Sequence, residues 1–159
     1  MNTDTLNNAI DWIIQQPHYK REGGSLTKEQ IQSTMFSAWK QGLLNFVSDI
    51  EQKKVIGCFE CHIVKKNKLW ILISKFPKLV GVDEDVMFID MAGKIDPDYP
   101  FSFTDMMKIA YKCGEIGGAK VLYYRNWHHH YLYRLTRRSY KSNGKFKFLV
   151  FNKNASFMI

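Results

Sequence analysis

The chain has 159 residues, of which 45% are hydrophobic and 14% aromatic; this excludes a disordered polymer and suits one compact domain spanning 1–159. A formal net charge of +8 favours an acidic partner, whether nucleic acid, an anionic membrane or an acidic protein. No apolar run approaches the ~18 residues of a spanning helix, and three cysteines do not make a disulfide framework.

The amino terminus, Met1-Asn2-Thr3-Asp4, lacks the basic and apolar segments of a secretory signal, so a cytoplasmic, reducing location is expected. Leu6, Ala9, Ile10, Ile13 and Ile14 recur at helical spacing, and Pro17 ends this first helix. After the Gly23-Gly24-Ser25 break, Thr27-Lys28-Glu29-Gln30 reads as a capping box. The second helix it opens carries Ile31, Met35, Ala38 and Trp39 on one face and stops at Gly42.

The period then changes to that of strands. Leu43 to Ile50, Val55 to Val64 and Leu69 to Phe76 are predicted as three strands, and Val82 to Gly93 as a fourth. Ser102 to Asp105 can cap a third helix whose buried stripe includes Met106, Ile109, Ala110 and Cys113. Lys120 to Arg125 is predicted as a strand, Trp127 to about Ser139 as a helix, and Lys145 to Asn152 as a last strand. The predicted class is α+β: a mixed, mostly antiparallel sheet flanked by helices.

The fourth strand contains the run Val86-Met87-Phe88-Ile89-Asp90-Met91-Ala92-Gly93. Regular alternation places Val86, Phe88, Asp90 and Ala92 on one face and Met87, Ile89 and Met91 on the other. Either face sets Asp90 among apolar neighbours, where a carboxylate needs a partner or a proton. It is either a structural carboxylate, capping an amide or pairing with a lysine, or part of a site.

Other constellations carry less. Cys58-Phe59-Glu60-Cys61-His62 has the spacing of haem attachment, but strand alternation turns the two thiols to opposite faces, so buried structural cysteines are expected. Zinc would need His128, His129 or His130 alongside, and no second ligand pair stands at regular spacing. Three histidines in a row on a helix cannot face one ion, so no metal site is expected. Arg134, Arg137, Arg138, Lys141, Lys145 and Lys147 alternate with Tyr131, Tyr133, Tyr140, Phe146 and Phe148. Such a segment can grip phosphates and stack bases, or meet an acidic partner. The plainer account buries the rings and solvates the cations.

Trp12 on the first helix, Gln15-Gln16-Pro17-His18 at its end, the strand Lys53 to Phe59 and Met87-Phe88-Ile89-Asp90 together resemble the toxin-activating lysine acyltransferases, the family of the hemolysin activator. The resemblance spans roughly residues 8 to 95. It implies an N-acetyltransferase-like (GNAT) fold, with His18 as catalytic base or transient acyl carrier and Asp90 orienting its ring. It further implies transfer of an acyl group to a protein lysine from acyl carrier protein, an acidic donor that a basic enzyme would attract. Tyr133, within Leu132-Tyr133-Arg134, resembles the general-acid tyrosine of many acetyltransferases.

The chain departs from the family after Asp90, where Met91-Ala92-Gly93-Lys94-Ile95 reproduces its aromatic and glycine-containing segment poorly. Gly93 to Asp98 also lacks the Q/R-x-x-G-x-G/A loop that holds coenzyme A, so no bound cofactor is expected. The competing expectation is a catalytically inactive GNAT-like protein, as in phage virions, whose basic surface meets nucleic acid or other virion proteins. The enzyme reading expects a cleft between His18 and Asp90. The scaffold reading expects those side chains to be far apart and an apolar patch to mark an interface.

Overall fold

The computed structural model describes residues 3–15, 27–96, 98–100, 103–126, 129–134 and 148–158. Helix α1 is Thr3–Ile14 and α2 is Lys28–Lys40. Strands β1 (Leu44–Asp49) and β2 (Lys54–Val64) follow, and then a connection with 3-10 turns at Lys66–Ile71 and Pro77–Leu79. After β3 (Val86–Lys94) come α3 (Phe103–Ile116), β4 (Val121–Asn126), β5 (His129–Arg134), β6 (Phe148–Phe151) and β7 (Ser156–Met158).

The strands form a seven-stranded sheet in the order β5-β4-β3-β2-β1-β6-β7. Among the described residues β3–β4 is parallel and every other pair is antiparallel. The α+β class and the mixed, mostly antiparallel sheet are therefore as expected.

Alternation along β2 divides the core. Phe59, Cys61 and Ile63 face the side where Ile109 and Ala110 of α3 pack on Met87, Ile89 and Leu122. Cys58 and Val64 face the other side, which has two separate coverings. At one end Leu6 and Ile10 of α1 and Met35 of α2 cover Leu44, Phe46 and Cys58. At the other end Leu69 and Leu79 of the 3-10 connection cover Val86, Phe88, Val121 and Tyr123. Each fully buried aliphatic side chain contributes about 1.5–3 kcal/mol.

Local signals fixed the ends of α2. Gln30 N–H donates to Thr27 Oγ1 (3.1 Å) and Thr27 N–H to Gln30 Oε1 (2.8 Å), completing the expected capping box. At the other end Gly42 adopts φ +75°, Leu43 N–H reaches Ala38 O (2.9 Å) and Gly42 N–H reaches Trp39 O (3.0 Å), a Schellman motif.

Three expectations are corrected. Leu69 to Phe76 is not a strand. Its apolar residues come in an unbroken run without period-two alternation, and Leu69 is buried while its neighbours Trp70 and Ile71 are exposed. The segment predicted as a helix from Trp127 is instead strand at His129–Arg134, where Tyr131, Leu132 and Tyr133 pair with β4 and their neighbourly contacts outweigh helical spacing. The last predicted strand ends at Phe151 rather than Asn152, its predicted start at 145–147 lying outside the described residues, and a further strand follows it, because the Asn152 carboxamide accepts from the Asn154 (2.8 Å) and Ala155 (2.9 Å) amides and turns the chain back.

Candidate active site

The two parallel strands stay together only part of their length. β3 and β4 pair from Val86↔Val121 to Ile89↔Tyr124, and among the described residues their ladder runs no further. Beyond Ile89, β3 keeps to β2, with Ala92, Gly93 and Lys94 opposite Phe59, Cys58 and Gly57. Beyond Tyr124, β4 keeps to β5, with Arg125 and Asn126 opposite His130 and His129. The strands part where each follows a different neighbour.

A bulge accompanies the parting. Between the pairs Cys61↔Ile89 and Phe59↔Ala92, β3 has two residues, Asp90 and Met91, against the single Glu60 of β2. An extra residue bends the strand and sharpens its twist. The regular register therefore holds through Ile89 and shifts across Asp90 and Met91, so the alternation predicted from Val86 to Ala92 does not run unbroken. In open sheets the carboxyl ends of parallel strands at such a divergence are where ligands bind. The β4-facing backbone edge of β3 beyond Ile89 can also exchange hydrogen bonds with an extended ligand.

Around this opening stand groups that the sequence reading passed over. Glu60, half-buried, lies opposite the bulge on the sheet face between the α1–α2 covering and the 3-10 covering. On the same face His62 stacks on Phe88 with centroids 5.2 Å apart, and Phe88 stacks on Tyr123, also at 5.2 Å. The Tyr123 hydroxyl and His130 Nδ1 are hydrogen-bonded. Phe76 closes over this row, 5.1 Å from the Tyr123 ring. On the opposite face Tyr124 stacks on Tyr131 at 6.2 Å. The clue to His130 was period two: in a strand, successive histidines alternate faces, so His130 joins Leu132 on the side of Tyr123.

Of the sequence-predicted site residues, His18 lies outside the described residues. Asp90 is on β3 at the first position past the parting, and its side chain lies outside the described residues. Tyr133 is on β5 opposite Leu122, a strand position rather than a helical one, and its side chain too lies outside them. Arg134 pairs with Glu84. Arg137, Arg138, Lys141, Lys145 and Lys147 lie outside the described residues.

The cysteines follow the alternation. Cys58 is buried against Phe46, and Cys61 sits on the opposite face, where Asn45 Nδ2 donates to its Sγ (3.4 Å). Burial pushes both thiols up to about 12, and burial also raises that of Cys113. Such thiols are weak nucleophiles and weak metal ligands near neutral pH. No group of three or more His, Cys, Asp or Glu among the described residues could hold a metal ion. None of the described helices is long and apolar enough to cross a membrane.

No family model and no curated protein matches the chain. Among solved structures it is similar to the crystal structure of a mosquito arylalkylamine N-acetyltransferase like 5b, at 14% identity and a TM-score of 0.49, over 77% of this chain and 72% of that one. The likeness to toxin-activating acyltransferases rests on its short motifs.

Proposed function

We propose that the chain is a GNAT-like acyltransferase that holds its donor in the opening between β3 and β4 and passes the acyl group to a lysine of a protein. The observation that carries this reading is the parting of β3 and β4 beside the Asp90–Met91 bulge. Asp90, the acidic residue of the motif, is the first β3 position past the end of their ladder. α1, the helix leading towards His18, packs against β3, the strand that carries Asp90; this also supports the pairing.

In the proposed reaction the lysine amine attacks the carbonyl carbon of an acyl thioester. A C–N bond forms and the C–S bond breaks. His18 takes the amine proton, and Asp90 orients and stabilises the charged ring. The leaving thiolate takes a proton from β5: Tyr133 as the resemblance implies, or His130, which stands opposite Arg125 nearer the rim. Acyl carrier protein, an acidic donor, suits the +8 charge.

The test is thioester discharge. Wild type, His18→Ala and Asp90→Asn are mixed with an acyl-loaded acyl carrier protein and a lysine-containing peptide, and thiol release and amide formation are followed. Losses of roughly 100-fold or more in both variants support the reading. Discharge that neither substitution changes refutes the pair. Wild type that neither binds nor discharges the donor favours an inactive, surface-binding protein instead.

A further inference from the structure

The connection between β2 and β3 carries an apolar surface that the sheet does not use. Leu69 and Leu79, 2% and 1% exposed, anchor it to Val86, Phe88 and Tyr123. Beside those anchors Trp70 is 70%, Ile71 57% and Val80 66% exposed. With Leu69 turned to the sheet, Trp70 and Ile71 of the same 3-10 turn are left on its solvent side. Residues 65–82 also hold five lysines and no aspartate or glutamate. Lys66, Lys68 and Lys75 are exposed, Lys66 near Asp85, to which its amide donates (2.9 Å), and Lys75 with its ammonium 5.4 Å from the Phe76 ring centroid; Lys65 is paired with Asp85 at 3.2 Å and Lys78 donates to the His130 carbonyl.

We infer that the outer face of this connection docks the protein on an anionic lipid membrane, Trp70, Ile71 and Val80 entering the interface and Lys66, Lys68 and Lys75 meeting the headgroups. The composition selects this partner over others. Protein interfaces are enriched in arginine and depleted in lysine, whereas every cation here is lysine. Single-stranded nucleic acid would employ the tryptophan for stacking and gains little from protruding isoleucine and valine. A bilayer interface takes all of them: tryptophan at the headgroup level, aliphatic tips below it, and ammonium groups above. This surface does not include the opening beside Asp90 and stands whether or not the acyl-transfer reading holds.

The test is co-sedimentation with vesicles of phosphatidylcholine alone and of phosphatidylcholine mixed with phosphatidylserine. Wild type is expected to partition onto the mixed vesicles, and less so as salt rises. Trp70→Ser with Val80→Ser should lower partitioning by at least about tenfold. Lys66→Gln, Lys68→Gln and Lys75→Gln together should lower it by about 100-fold, at roughly fivefold per lysine. All these side chains are exposed, so the melting temperature should stay unchanged, and the two-lipid comparison needs no variant at all. Wild type left in the supernatant with both vesicles overturns the inference. So does binding that the variants retain, which would place the contact elsewhere, or binding confined to an acidic protein or an oligonucleotide.

Discussion

The Tyr99 hydroxyl donates a hydrogen bond to the buried carboxylate of Asp49 and so ties the segment after β3 to the turn between β1 and β2. The other oxygen of Asp49 accepts from the Glu51 (2.8 Å) and Gln52 (2.9 Å) amides. Lys54 adds to the tie, bonding Asp96 at 2.6 Å and lying 5.5 Å from the centroid of the Tyr99 ring. The far end of β3 is thereby held towards β2 and β1 while β4 leaves with β5.

Tyr99→Phe removes a donor from a buried carboxylate and should cost about 1–3 kcal/mol, measured by urea denaturation near pH 7. The Tyr99 hydrogen bond, followed by the Gln52 amide, holds the Asp49 carboxyl below its ordinary 3.8 against the opposing effect of burial. A carboxyl depressed in the folded state contributes stability above its unfolded pKa, and that contribution is lost as pH falls through the folded value. The gap between wild type and variant should accordingly be full at neutral pH and narrow below about 3.8. A gap that widens in acid would contradict the assignment.

Gly42 closes α2 in the left-handed region, and a Cβ there would also meet the Asn154 side chain. The Asn154 amide can swing away, so Gly42→Ala should cost about 1–2 kcal/mol from the backbone alone. Thermal melting of the variant beside Gln41→Ala, a neighbouring change without the φ penalty, checks this.

Burial alone raises the Cys58 thiol, and it is the chief cause at Cys61, so neither should react with a thiol reagent at pH 8 while the protein is folded. Both should react within the same time once urea unfolds it. Rapid labelling of native protein at either position would show β2 to be far more open than its pairing on both edges implies.

The hydrogen bond between Tyr123 and His130 offers a choice between proton donors on β5. Register places Tyr133 opposite Leu122, towards the closed end of the β3–β4 pair, and His130 opposite Arg125 at the open end. His130→Gln should therefore slow donor discharge by about 10-fold or more, and Tyr133→Phe should leave it nearly unchanged. The reverse ranking would return the role to Tyr133.

Legibility in the sequence followed the reach of each signal. The Thr27–Gln30 box and Gly42 act within a few residues, and both ends of α2 were readable from them. The run Leu69 to Ile73 was not, because only the hydrophobic surface of β3 and β4 decides that Leu69 turns inward and Trp70 outward. Asp90 stood out as a carboxylate in an apolar run. Its bulge did not, since the extra residue exists only relative to Glu60 on a neighbouring strand. His130 was hidden for the same reason: as part of a helix it is one of three scattered histidines, and as part of β5 it is the partner of Tyr123.

Backbone hydrogen exchange with and without an acyl-loaded acyl carrier protein tests most directly whether the donor occupies the opening. The account predicts slowed exchange at residues 90–94 of β3 and 124–126 of β4, where the edges that part would gain partners, and weaker protection in Asp90→Asn. Donor that binds while those amides exchange as before, with protection appearing elsewhere on the sheet or on the 65–82 connection, would contradict it.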